Sequence, residues 1–263
     1  MPVVAQQHFV VAVVGDGASN RLAEQEQVFI DELLALTASE FDVQIRPFSG
    51  TWTKESIEAA LEEAYADPEV DLVLVTGFIS NQIAATKPEF SKPTFLPVII
   101  NIGLLADDAS SGTSGVANLN YLSVYADLDE DLDMMARIVP YRNLVMFIDS
   151  GLLSAIPELR DAAYAACELR GVELTAVPHD GIDHHLMNRV PAGTDAVFFA
   201  GLPRMPPTEF SQLAEAINAA GLPSYSLIGV SDLELGLLVA NSEPRDAGRQ
   251  ARLNALNMQA VML

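Results

Sequence analysis

The 263-residue sequence has one cysteine, Cys167, so no internal disulfide can form. Its apolar neighbours in a helical pattern point to a buried, inert thiol rather than a nucleophile. Lysine is also scarce. Lys54, Lys87 and Lys92 are the only three, and 14 basic residues against 36 acidic ones leave a formal net charge of −22. Such a surface repels nucleic-acid phosphates and anionic lipid heads, so neither is an expected partner. No apolar run reaches the roughly 18–20 residues a membrane helix needs, so direct membrane insertion is not expected. Met1 to Gln7 lacks the basic and apolar regions of a signal peptide, yet Val3-Val4-Ala5 has the small-residue look of the end of one. The start therefore suits an exported protein whose leader has been removed, with a cytoplasmic protein bearing a short frayed end as the alternative.

Apolar residues make up half of the chain. The organising stretch is Val70 to Gly77, a short valine-rich run that reads as a strand buried on both faces. It occurs twice: Asp71-x-Val73-x-x-x-Gly77 returns as Asp195-x-Val197-x-x-x-Gly201, an offset of 195 − 71 = 124 residues. Pro97-x5-Gly103 likewise returns as Pro223-x5-Gly229, offset 126. Two copies of one β/α unit predict two similar α/β lobes with parallel sheets facing a central cleft, because open α/β sheets bind ligands beyond the carboxyl ends of their strands.

The chain alternates strand and helix throughout. Strands are expected at Phe9–Val14, Val43–Phe48, Val70–Gly77 and Pro97–Ile100 in the first half, and at Asn143–Ile148, Val172–Val177, Ala196–Ala200, Pro223–Ile228 and Gly236–Ala240 in the second. Helices are expected at Asn20–Leu36 (capped by Ser19 or Asn20), from Thr53 as N-cap to about Tyr65, near Ser80–Ala85, and over Asp127–Val139. Further helices follow over Ser154–Leu169, ending at Gly171, over Ile182–Arg189, from Thr208 as cap to Ala220, and over Ser242–Leu263. Asp107–Asn120 has no apolar period and reads as a loop crossing between lobes, followed by an extended segment from Leu119 to Tyr125.

Familiar catalytic and cofactor motifs are missing. Gly15-Asp16-Gly17 is followed by Asn20 where a dinucleotide loop has its third glycine, and Arg46-Pro47-Phe48 ends the second strand without an acid. Neither a P-loop nor a G-x-S-x-G frame is present. The acidic run from Asp127 lacks the glycine and final acid of a calcium loop and reads as a solvated first helical turn. His179 to His185 is the one metal-like cluster, but adjacent His184 and His185 point about 100° apart on a helix, so it reads as a solvated loop. No metal, cofactor or catalytic residue is assigned.

The candidate ligand-binding residues sit at the βα tips and crossing segments: Asp16, Asn20, Trp52, Thr76, Phe78, Asn101, Asn118, Asn120 and Tyr121 in the first half, and Asp149, Leu152, Leu202 and Arg204 in the second. The aromatic and aliphatic members make apolar walls, and the amides could orient a few polar groups. Arg204 is the one well-placed basic residue. An amino acid needs a carboxylate clamp and an acid for its ammonium, so this scarcity favours a neutral lipid- or sterol-like ligand; Asp16 or Asp149 keeps the amino acid open.

Four stretches carry a family likeness: Ala66-Asp67-Pro68-Glu69-Val70-Asp71-Leu72-Val73, Gly112-Thr113-Ser114-Gly115-Val116, Ile138-Val139-Pro140-Tyr141-Arg142-Asn143-Leu144-Val145 and Arg252-Leu253-Asn254-Ala255-Leu256-Asn257-Met258-Gln259. In these the chain resembles the substrate-binding proteins of ABC transporters, including a branch of exporter-associated periplasmic binders with a bacterial sterol carrier. The resemblance implies the type I periplasmic-binding fold, with a first lobe over residues 6–120, a crossing segment at 112–126, a second lobe over 121–241 and a helix at 242–263 returning towards the hinge. It also implies either more chain after Leu263 or a first lobe completed differently. The function so implied is that of a periplasmic, non-catalytic, monomeric binder that hands a small apolar ligand to a membrane transport complex. It would close about hinges at Ser114–Tyr125 and near Asn241. An aromatic amino-acid binder of an importer and a cytoplasmic α/β enzyme using the same cleft are the alternatives.

Overall fold

The valine-rich run folds as a strand, and its two copies occupy matching places in two α/β lobes. The computed structural model describes residues 6–97, 99, 114–122, 128–182, 185–240 and 247–263. The first unit takes Met1–Ala18, Leu22–Tyr125 and Arg245–Leu263; the second takes Ser19–Arg21 and Ala126–Pro244.

In the first lobe β1 (Gln7–Gly15), β2 (Phe41–Ser49), β3 (Leu72–Val75), β4 (Thr94–Leu96) and β5 (Leu119–Tyr121) form one sheet in the order β2-β1-β3-β4-β5. Every pairing in it is parallel. All four residues of β3 are buried, as a central parallel strand covered on both faces requires. Helices α1 (Asn20–Thr37), α2 (Lys54–Ala66) and α3 (Phe78–Ala85) follow the first three strands. The Thr53 hydroxyl caps α2 by accepting the Ser56 N–H. One face of the sheet packs Val11, Val13, Leu72, Leu74 and Phe95 against Phe29 and Leu33 of α1 and against Ala251, Ala255, Met258 and Met262. The last four lie on the C-terminal helix, residues Ala247–Met262, so this helix belongs to the first lobe's core.

The second lobe starts with α4 (Leu128–Ile138). Its sheet comprises β6 (Asn143–Asp149), β7 (Glu173–His179), β8 (Ala196–Phe199), β9 (Ser224–Ser226) and β10 (Val239–Ala240), in the order β10-β9-β8-β6-β7 and again all parallel. Between strands lie α5 (Ser150–Ala155), α6 (Pro157–Glu168), a 3-10 turn at Leu186–Arg189, α7 (Pro207–Ala219) and α8 (Ser231–Glu234); the C-terminal helix is α9. Phe147, Phe199 and Phe210 centre the core on one face. Phe198 and Tyr225, stacked with centroids 5.0 Å apart, centre it on the other with Cys167. Burial pushes the Cys167 thiol pKa up, so it stays protonated.

Several local expectations are corrected. The fourth strand is described over Thr94–Leu96, ahead of Pro97, which has no N–H to give to a ladder; residues 98 and 100 of the expected Pro97–Ile100 strand lie outside the described residues. The helix expected over Ser154–Leu169 is two helices, since Pro157 lacks an N–H and disfavours helical backbone at Ile156, whose φ and ψ are −135° and 73°. Pro206 and Pro207 move the start of α7 ahead of Thr208, which makes no cap. The acidic first turn of α4 is only partly solvated: Asp131 is buried and accepts the Tyr225 hydroxyl at 2.8 Å. Asn101, Asp183, His184, the hinge residues 123–125 and Asn241 lie outside the described residues, as do 107–113 of the expected crossing loop.

Candidate functional site

The carboxyl edge of the first sheet is built around Asp16, the residue after β1. Its carboxylate is 1% exposed and accepts the N–H groups of Ile79 at 2.9 Å and Ser80 at 2.7 Å in the first turn of α3. A helix N-terminus favours a carboxylate at that place. Burial raises the Asp16 pKa from its ordinary value, and the Ile79 and Ser80 hydrogen bonds pull against that shift. The Asp16 carbonyl accepts the Trp52 N–H at 2.9 Å, so one residue ties the tips after β1, β2 and β3 together.

Trp52 is half-buried and has a φ of 67°. Left-handed backbone is a steric outlier for a bulky side chain and costs about 1–3 kcal/mol. The indole N–H donates to the Ala18 carbonyl at 3.3 Å. A β-carbon on Gly17 would lie 2.4 Å from the indole Nε1, so the ring fits only over a glycine. Thr76 donates its hydroxyl to the Glu26 carboxylate, and Phe78 opens α3 half-buried. Asp16, Trp52, Thr76 and Phe78 therefore share one edge. Asn20 is exposed in the first turn of α1.

Asn118 and Asn120 do not join this group. Asn118 precedes β5, at the opposite, amino edge of the sheet, where its side-chain N–H donates to the Phe90 carbonyl at 2.9 Å. Asn120 uses its side-chain oxygen to accept from Asn257 of α9 at 3.1 Å. Tyr121 ends β5 beside Leu96, half-buried.

At the carboxyl edge of the second sheet, Asp149 holds the place of Asp16. It is 1% exposed and caps α5 by accepting the Gly151 N–H at 2.7 Å. Arg204, from the loop after β8, grips the same carboxylate with two bonds, Nε to Oδ2 at 2.7 Å and Nη2 to Oδ1 at 2.9 Å. Nη2 also donates to Ser150 Oγ at 2.9 Å and to the His179 carbonyl at 3.3 Å. A planar guanidinium suits this fork. Leu152 is buried beside it, while Leu202 is 1% exposed and packs into the core with Phe199, Met205 and Phe210.

The Asp149–Arg204 pair, the Gly17 seat under Trp52 and the Thr76–Glu26 bond are what sequence reasoning missed. An Asp at a strand end followed by Ser-Gly is an N-cap signature, so the cap at Asp149 could have been read; the long-range pair with Arg204 could not. The carboxylates of Asp16 and Asp149 hold backbone and side chains in place, which suits positioning rather than proton transfer. Among the described residues no cluster of three His, Cys, Asp or Glu side chains could hold a metal ion.

No protein-family profile matches the chain, and no curated protein does. Solved structures do match. An ABC domain from Streptococcus pneumoniae, in complex with L-Trp, aligns with a TM-score of 0.69 at 15% identity, over 97% of this chain and 85% of that one. A solute-binding protein of an ABC transporter from R. palustris, in complex with 4-hydroxybenzoate, gives a TM-score of 0.60 at 14% identity, over 95% and 74%. A leucine-binding protein from Thermotoga maritima gives 0.58 at 13%, over 88% and 69%. At such identities the likeness is one of fold, that of type I periplasmic-binding proteins.

Proposed function

We propose that this chain is a non-catalytic solute-binding protein of an ABC transport system, acting in the periplasm and handing a small, uncharged and largely apolar ligand to a membrane complex. The observation that carries the reading is that the buried acid at the carboxyl edge of each sheet already has its partners within the lobe. Asp16 is occupied by helix N–H groups and Asp149 by Arg204, while Trp52 and Phe78 stand half-buried beside Asp16. Open parallel sheets bind ligands at that edge. Apolar walls with few charges suit a lipid- or sterol-like molecule. The fold shared with solute-binding proteins supports the class. No helix among the described residues is long and apolar enough to cross a membrane, consistent with a partner complex that supplies the membrane part.

An aromatic amino acid is the second reading, favoured by the L-Trp complex of the S. pneumoniae neighbour. Against it stands the chemistry of the zwitterion, whose carboxylate and ammonium each need an opposite charge. The test is mass spectrometry of small molecules extracted from the purified protein, followed by melting curves with a panel of sterols, fatty acids and aromatic amino acids. A true ligand at a hundred times its Kd adds about 2.7 kcal/mol of stability. If no compound in the extract, added back, shifts the melt, the solute-binding reading is wrong. If only amino acids shift it, the ligand is the zwitterion.

A further inference from the structure

Among the described residues two that are not glycine have positive φ, Asn118 and Trp52. Asparagine tolerates that conformation through its short polar side chain; tryptophan does not. A glycine at position 52 would sit there relaxed. The strained backbone is instead fixed from three sides: the Trp52 N–H on the Asp16 carbonyl, the indole N–H on the Ala18 carbonyl, and Gly17 in contact with the five-membered ring. Strain held in place by its surroundings concentrates at ligand clamps. The ring is half-buried at the carboxyl edge of the first sheet.

We infer that the Trp52 indole is the surface that selects the ligand's shape, and that the ligand class is a compound with a flat ring system rather than an open chain. This rests on the solute-binding reading and adds to it a residue and a geometry. An indole held by its N–H on the Ala18 carbonyl, a pinned backbone and a glycine seat is a planar surface that loses little conformational freedom on binding. A flat ring matches it over its whole area, whereas an acyl chain must be ordered to lie along it.

The experiment compares three ring compounds, L-tryptophan, 4-hydroxybenzoate and cholesterol, with two open-chain ones, palmitate and L-leucine, by calorimetry and melting. Each is run on the wild type, Trp52→Asn and Gly17→Ala. Asparagine accepts the backbone at 52, so Trp52→Asn should fold and melt no lower than wild type. Gly17→Ala puts a β-carbon where the indole now lies. At least one ring compound should bind the wild type, and its affinity should fall about tenfold in both variants, the scale of one aromatic contact. Binding of palmitate or L-leucine with no ring compound bound overturns the inference and leaves the solute-binding reading standing. A ring compound bound equally well by Trp52→Asn does the same. If no ring compound binds at all, the inference also falls, and the extracted-ligand measurement then judges the solute-binding reading separately.

Discussion

A β-carbon on Gly77 would lie 2.1 Å from Asp16 Oδ1 and 2.7 Å from the Asp16 backbone nitrogen. The carboxylate that ends β1 fills the space a side chain at 77 would need. At the other end of the repeated motif, Asp71 exchanges two bonds with Val10 of β1: its N–H donates to the Val10 carbonyl and its carboxylate accepts the Val10 N–H, each at 2.8 Å. The motif is thus a bracket around the first strand of its sheet. The second copy does the same around β6. Asp195 accepts the N–H groups of Arg142 at 2.9 Å and Asn143 at 2.8 Å, and the Gly201 carbonyl accepts the Asp149 N–H at 3.1 Å.

Gly77→Ala should therefore be among the most damaging small substitutions in the first lobe, since backbone and a buried carboxylate both stand in the way. We expect a loss of about 1–3 kcal/mol, towards the upper end. Gly201→Ala meets only the flexible end of Ile228 at 3.1 Å, with φ at +99°, and should cost about 1 kcal/mol through backbone strain. Urea midpoints of the two variants, compared with wild type, check the order. Equal midpoints would show that the space at Gly77 is not rigid.

The bracket also explains what the sequence made legible. Strands such as β3 and β8 are announced by short apolar runs because they are buried on both faces, and the repeated Asp and Gly mark the two ends where each touches its neighbour. Thr53 was readable as a cap because its hydroxyl accepts the N–H of Ser56, three residues on in the first turn of the helix. Partners distant in sequence were not. Nothing near Arg204 says that Asp149 holds it, and Leu202 looks like a loop-tip residue until the close packing of Phe199 and Phe210 takes it into the core. Asn118 looks like a ligand amide until the register of β5 puts it at the amino edge. Proline overrode pattern at Pro157 and Pro207, where a missing N–H moved an element boundary.

The acids should titrate in two groups. The Asp16 pKa is raised, chiefly by burial, above the ordinary 3.8. Its contribution to stability is therefore fully present below the unfolded value and is lost as pH rises through the folded one. Asp195, lowered by the backbone N–H groups of Arg142 and Asn143, and Asp133, lowered by Arg170, run the other way. Their contribution is present above the unfolded value and is lost as pH falls through the folded one. Carboxyl NMR titration should find Asp16 above 3.8 and Asp195 and Asp133 below it. An Asp16 that titrates with the surface acids would mean that the carboxyl is not buried in solution as it is in the structure.

With a net charge of −22, the folded chain repels itself. Raising salt from about 10 mM to 1 M shortens the screening length from roughly 30 Å to 3 Å. The surface pairs of Arg170 with Asp129 and Asp133 weaken on screening, but exposed pairs contribute little. Self-repulsion is the larger effect, so the melting temperature should rise with sodium chloride. A flat or falling curve would show that local pairs outweigh the net charge.

Arg204→Ala is the obvious test of ligand charge, and taken alone it misleads. It would leave the buried Asp149 carboxylate without its cation, and breaking a buried pair from one side costs about 3–5 kcal/mol. The N–H bonds from Gly151 and Leu152 remain, so the lower end is expected. Loss of ligand in that variant would then report a damaged lobe as readily as a missing clamp. Asp149→Asn combined with Arg204→Ala removes both charges, and asparagine is as good an N-cap as aspartate. The double variant should recover at least about 1.5 kcal/mol relative to Arg204→Ala, the coupling expected of side chains in contact. Urea unfolding measures that recovery; its absence would show that Arg204 is held by Ser150 and His179 rather than by Asp149. On this restored background an uncharged ligand should bind as it does to wild type. A carboxylate that relies on the guanidinium should bind at least about tenfold more weakly, a loss of about 1.4 kcal/mol.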